Sequence, residues 1–177
     1  LTATPVPVEI ERRVTARLVL RRPVARDLPA LVAIGSDPAN YEHAPSGAPS
    51  RSESEAHAGW MLACWRHGAI GFWVVDHEDA VIGLAGIVPM DFVGAATYNL
   101  AFRFVPEARG RGFATEACRE ALVVAAALEP ARPIVVRTRP TNIPARRLSV
   151  GLGLERRSEL DVDGFVVYAS PGAWLPG

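Results

Sequence analysis

No charge of either sign predominates in this 177-residue chain, where 19 basic side chains meet 19 acidic ones. Nothing global therefore draws it to nucleic acid or to an anionic membrane surface, and any basic site must be local. Cysteine occurs only twice, and Cys64 and Cys118 both fall in expected helices without metal-ligand or disulfide-framework spacing. They read as free buried thiols in a reducing compartment. No apolar run is long enough to span a bilayer, and the first residues show no apolar stretch ending in a small-residue cleavage site, so the expected location is cytoplasmic. No G-K-S or G-K-T follows a glycine loop, which excludes a nucleotide-triphosphate P-loop. His43, His57, His67 and His77 have no paired spacing, and no metal site is expected.

The chain is nonetheless 49% hydrophobic, enough for one well-buried core and short for two domains, so residues 1–177 read as a single domain. Its organising stretch is 102–114, FRFVPEARGRGFA. Leu100, Phe102 and Phe104 alternate with Asn99, Ala101 and Arg103, the period of a strand, and Pro106 ends that strand because it has no N–H to donate. Gly110 and Gly112 then let the backbone turn several N–H groups inward at the positive end of a helix starting near Gly112, an arrangement that collects anions. Ala114, Ala117, Cys118, Ala121, Leu122 and Ala125 give that helix one small apolar face. A G-x-G at Gly110 is a weak dinucleotide signal, since the third glycine is missing and the strands before it pair as hairpins.

Around this centre the remaining elements fall in order. Residues 1–14, with Pro5 and Pro7 and no period, read as a loose arm, and 17–22 as a first strand. Asp27 is placed to cap a short helix with Leu28, Leu31, Val32 and Ile34 buried, closed by Gly35. Residues 36–51 form a long polar loop of the kind that carries function. Ser52 and Glu55 make a capping box for a second helix that turns Ala56, Trp60, Ala63, Cys64 and His67 to one face. Residues 71–75 and 80–88 form a hairpin over 76–79, with Gly83 and Gly86 marking a bulge or close packing, and a turn at 91–95 leads into the organising strand. After the long helix come a strand at 133–139, expected parallel to the organising strand, a short helix headed by Asn142, and a final hairpin of 155–160 and 164–169. The fold class is α+β: a mostly antiparallel sheet with one parallel crossover and helices on both faces.

This order, with Arg109, Gly112 and Ala114 in an R-x-x-G-x-A segment and Asn142 heading the segment 142–154, resembles the GNAT superfamily of N-acetyltransferases over nearly the whole chain. The opening TARLVLRRP is similar to the branch that acetylates N-termini of ribosomal proteins. The resemblance implies acetyl-CoA as co-substrate, its pyrophosphate on the backbone N–H groups of Arg109, Gly110, Arg111, Gly112, Phe113 and Ala114. It implies main-chain partners for the pantetheine arm at Phe104 and Val105, with Asn142 binding the same arm. An N–H near Phe104 would stabilise the oxyanion as a primary amine attacks the thioester in a ternary complex.

Several positions depart from the family pattern. Ser149 stands where many relatives carry a tyrosine that protonates the thiolate, and is the second catalytic candidate; Ala145 and Leu154 also differ. Asn99 falls where related enzymes often have glutamate, leaving Tyr98, Asp91, Glu116 and Tyr168 as candidate bases, each with a structural role as its plainer explanation. Arg137, Arg139, Arg146 and Arg147 are either an adenosine-phosphate patch or a solvated face. Three functions fit: acetylation of a peptide α-amine, acetylation of a small amine, or acyl-CoA binding without catalysis. Pairing into a homodimer is compatible with each.

Overall fold

The computed structural model describes residues 8–66 and 70–172. Its centre is a run of hairpins. Strand β3 (Phe72–His77) turns at Glu78 and Asp79 into β4 (Ala80–Phe92), which turns at Val93 and Gly94 into β5 (Ala95–Phe104). All four turn residues have positive φ, 49° and 62° in the first turn and 48° and 76° in the second. That two-residue geometry has the twist that antiparallel strands require, and it makes β4 longer and both turns tighter than the sequence implied. Val93 is an unusual occupant, because a branched Cβ is strained there.

On one side β3 pairs with β2 (Val19–Arg21), and β2 with β1 (Arg12–Val14), preceded by the single helical turn α1 (Val8–Glu11). The expected loose arm 1–14 is therefore corrected for 8–14; residues 1–7 lie outside the described residues. The first strand is also shorter than 17–22, with Arg17 in the turn before it. On the other side α4 (Phe113–Leu128) carries the chain back so that β6 (Ile134–Thr138) runs parallel to β5, as expected. After α5 (Ile143–Gly151) come β7 (Glu155–Arg156) and β8 (Val166–Ala169), separated by a one-turn helix at Ser158–Leu160 where the sequence pattern predicts a continuous strand 155–160. The eight strands run β1-β2-β3-β4-β5-β6-β8-β7, antiparallel except for β5 with β6.

Helices cover both faces. Against α4 and α5 pack Leu20, Trp73, Ile87, Leu100, Phe104 and Val136, with the alanine face of α4 (Ala117, Ala121, Ala125) letting helix and sheet approach closely. Against α2 (Leu28–Ser36) and α3 (Arg51–Arg66) pack Phe72, Val74, Leu84 and Val88. Gly83 and Gly86 mark close packing: a Cβ on Gly83 would stand 2.5 Å from Phe104 Cδ1 and 2.7 Å from the Arg103 carbonyl, and one on Gly86 2.8 Å from the Gly71 carbonyl.

Two caps differ from expectation. Asp27 does not cap α2 with its side chain; its carboxylate accepts from Arg21 at 2.7 and 2.8 Å and from the Val24 N–H, while Arg21 also holds Asp76. The capping box of α3 is Ser50 with Glu53, two residues before the expected Ser52 and Glu55: Ser50 N donates to Glu53 Oε2 at 2.7 Å and Glu53 N to Ser50 Oγ at 3.3 Å. The buried stripe moves with it. Ala58, Met61, Leu62 and Trp65 face the sheet, Trp60 is 43% exposed, and His67 lies outside the described residues.

Candidate functional site

The site begins where β5 loses a neighbour. Its register with β4 is unbroken from Gly83 opposite Phe104 to Phe92 opposite Ala95, whereas its register with β6 ends at Asn99 opposite Val135. At one end of β5, Tyr98 N donates to Pro133 O across to the β6 side; at the other, Val105 N donates to Ile82 O on the β4 side. Backbone groups alternate along an unbroken strand, so the N–H groups of Phe102 and Phe104 point toward β6 beyond the last paired residue. A wedge-shaped opening with main-chain donors along one wall results.

The wedge leads directly into the glycine loop. Pro106–Ala108 forms a single 3-10 turn, Arg109 is extended, and Gly110 and Gly112 take φ of 72° and 81°. Gly112 caps α4 without a side-chain acceptor, and the first intrahelical bond is Glu116 N to Gly112 O at 3.1 Å. The N–H groups of Phe113, Ala114 and Thr115 thus have no acceptor within the helix and sit at its positive end, which suits an anion. The basic side chains are disposed around this turn: Arg111 lies over the Phe113 ring at 4.7 Å, and Arg109 Nη2 donates to Asn40 Oδ1 at 2.7 Å.

Sequence reasoning missed Arg17. From the turn before β2 its Nη1 donates to Arg111 O at 2.8 Å, its guanidinium lies 4.6 Å from the centre of the Phe113 ring, and Nε and Nη2 bind Glu116. It braces the glycine loop from outside. A shallow cleft of about 570 Å³ at the same place is lined by Thr15, Arg17, Gly112, Thr115 and Glu116. No local pattern marks a contact between residues 94 apart.

The other wall of the wedge carries Asn142. Its Oδ1 accepts from Ala145 N at 3.1 Å, capping α5, and its amide nitrogen has no protein partner among the described residues. Ser149, the second catalytic candidate, has no exposed surface, and its hydroxyl donates to Ala145 O at 2.9 Å within α5, which gives it a structural role. The candidate bases are likewise engaged. Burial works to raise the Glu116 carboxyl, but hydrogen bonds from Thr15 and Arg17 outweigh it and hold it below the usual carboxylate range. Tyr98 is buried and donates to Glu129, both of which raise its phenol. Asp91 binds Gly94 N in the hairpin turn, and Tyr168 accepts from Arg146. Arg137 and Arg139 lie against the Phe165 ring, which favours the surface reading of those arginines over a phosphate patch.

On the opposite face of β5, Asn99, Ala101 and Arg103 project toward the α2–α3 side, where Ala101 and Val105 pack against that cluster. Here the loop 36–51 comes down on the strand. Arg103 lies over the Tyr41 ring at 4.6 Å, and His57 of α3 stacks on Trp60 at 5.3 Å. The wedge, the glycine loop and this half-open face all meet at the end of β5.

A family model described as an acetyltransferase (GNAT) domain matches residues 17–155. Solved structures share the fold at low identity. An acetyltransferase from Agrobacterium tumefaciens matches with a TM-score of 0.76 and 21% identity, over 89% of this chain and 92% of that one. RimJ of Mycobacterium smegmatis, solved with a CoA-disulfide, matches with a TM-score of 0.62 and 20% identity, over 89% and 84%. The ribosomal-protein α-N-acetyltransferase RimL, in complex with coenzyme A, matches with a TM-score of 0.70 and 15% identity, over 89% and 95%.

Proposed function

The chain belongs to the GNAT acetyltransferases, and from that premise we propose that it moves the acetyl group of acetyl-CoA to the α-amine of a peptide. The observation that carries this reading is the unpaired edge of β5 running into the left-handed glycines at the start of α4. The pyrophosphate sits on the N–H groups of the 109–114 turn, with Arg109 and Arg111 adding charge. The pantetheine arm lies along the β5 edge between Phe104 with Val105 on one wall and the free Asn142 amide on the other. Two fork-like walls hold a flexible arm in one conformation, and that positioning supplies much of the rate.

The amine nitrogen attacks the thioester carbon from the Arg103 side of the strand. Negative charge gathers on the carbonyl oxygen, which the Phe104 N–H stabilises, a fixed dipole in place before the reaction begins. The C–S bond then breaks, leaving an amide and coenzyme A. A protonated amine must shed one proton before its nitrogen can attack and a second as the amide forms, while the departing thiolate takes one up; with Glu116, Tyr98, Asp91, Tyr168 and Ser149 all engaged elsewhere, these transfers pass through water in the open face. A peptide acceptor is favoured because the long 36–51 loop reaches this face at Tyr41, and because RimL and RimJ share the fold.

Thiol release from acetyl-CoA across N-terminal peptides and small amines, beside calorimetry with coenzyme A, tests the reading. Binding with turnover on peptides supports it. Turnover only on small amines replaces the acceptor, and absence of coenzyme binding overturns the site.

A further inference from the structure

Arg103 differs from the other strand arginines in where its charge is placed. Arg21 is held by Asp27 and Asp76, and Arg137 rests on Phe92 and Phe165. Arg103 is half-buried in the floor of the face from which the amine arrives, and among the described residues no carboxylate lies within ion-pair distance of it. Its immediate chain neighbours, Phe102 and Phe104, carry the N–H groups at the open edge of β5.

Three elements shape its surroundings. Tyr41, from the 36–51 loop, lies with its ring centre 4.6 Å from the guanidinium carbon, a cation–π contact that does not neutralise the charge. His57 of α3 is held below its usual pKa, first by burial and then by the Arg103 charge, so it adds no second cation at neutral pH. Trp60 stacks on His57 and walls the α3 side. The loop's own acids are turned to other uses: Asp37 accepts from Ala39 N, and Glu42 is mostly exposed beside His43. A half-buried cation without an anion of its own, one residue from the reacting carbonyl's donor, is a charge awaiting a ligand.

We infer that Arg103, held by Tyr41, is the specificity-determining residue of the acceptor side, and that it selects amines carrying a carboxylate close to the amine. The inference rests on the proposed acetyltransfer at this face. Two sources present that chemistry: a peptide whose second residue is acidic, and a free amino acid with its α-carboxylate. Polyamines and aminoglycoside-like cations are disfavoured by the same charge.

The experiment compares kcat/KM for peptides headed Ser-Glu, Ser-Gln and Ser-Lys, and for free serine against serinamide, with wild type, Arg103→Met and Arg103→Glu. Wild type is expected to prefer Ser-Glu over Ser-Gln, or serine over serinamide, by about tenfold or more, the size of one charge-assisted hydrogen bond. Whichever pair shows the preference names the source. Arg103→Met should bring that ratio near one, and Arg103→Glu should favour Ser-Lys, with coenzyme A affinity unchanged because the side chain leaves the strand on the face away from the wedge. Melting temperatures of the variants check that they fold. Wild-type turnover without a carboxylate preference, or a preference that survives in both variants, overturns the inference and leaves the acetyltransferase reading intact. Coenzyme binding with no turnover on any amine overturns both.

The chain contains no lysine, since all 19 of its basic side chains are arginine, so transfer to the enzyme's own side chains does not confuse the assay.

Discussion

Gly110→Ala separates what the glycine loop does for binding from what it does for folding. Gly110 has φ of 72°, and a Cβ built there meets nothing within 4 Å, so the substitution introduces no clash. Its whole cost is the left-handed backbone, about 1–2 kcal/mol for a residue with a Cβ. Gly110 is exposed and between extended Arg109 and exposed Arg111, so the free loop relaxes and the strain returns only when the turn closes on pyrophosphate. At about 1.4 kcal/mol per tenfold, coenzyme A should bind roughly 5- to 30-fold more weakly, with little change in melting temperature. Gly112→Ala carries a similar backbone cost, from φ of 81°, but its neighbour Phe113 is buried and its added Cβ would sit 3.4 Å from Arg17 Nη2. That turn cannot relax without unseating the start of α4. The loss should therefore fall on stability, about 2–4 °C per kcal/mol for a chain of this size. Gly110→Asn should recover part of the affinity, since asparagine enters the left-handed region more readily. Calorimetry with coenzyme A and thermal denaturation on the three variants read both quantities. If Gly110→Ala changes neither, the loop does not bind phosphate in this conformation and the account of the site fails.

Gly83→Ala should cost about 1–3 kcal/mol by overpacking, because the new methyl meets both the Phe104 ring and the immobile Arg103 carbonyl; it should also weaken coenzyme A binding by shifting the β5 edge, measured by the same two methods. Val93→Asn should raise the melting temperature by a few degrees, since Val93 is exposed and has φ of 48° before Gly94, where asparagine relieves about 1 kcal/mol of strain. Asp27→Asn should destabilise by about 2–3 kcal/mol, less than the roughly 3–5 kcal/mol of a fully broken buried pair because Asp76 still holds Arg21. For Asp27 burial pushes its carboxyl up, but Arg21 and the Val24 N–H outweigh it and keep the folded pKa below the unfolded one. The stability it adds is therefore present above about pH 4, the unfolded value, and fades as pH falls through the folded value, so wild type and variant should converge in acid by urea denaturation.

The parts of the molecule legible in the sequence are those whose signal is local. Alternation at 99–104, the glycines at 110 and 112, and the alanine spacing of α4 each describe neighbours in the chain, and the structure places all three as read. The α3 helix shows how a correct period still leaves its phase open. Ser-x-x-Glu occurs at both 50–53 and 52–55, and the stripe 56, 60, 63, 64, 67 has the same spacing as the observed 54, 58, 61, 62, 65. A shift of two residues turns a helix by about 200°, so the later box would bury the face that the structure leaves exposed, Trp60 included. Only the sheet beneath decides between them, because Met61, Leu62 and Trp65 bury more apolar surface than Ala56, Trp60 and Ala63 could at that distance. The site's remaining contacts, Arg17 on Arg111, Asn40 on Arg109 and Tyr41 on Arg103, join residues 60 or more positions apart. The last two bring the 36–51 loop onto both the glycine turn before α4 and the Arg103 face of β5, so a single loop touches both halves of the proposed site.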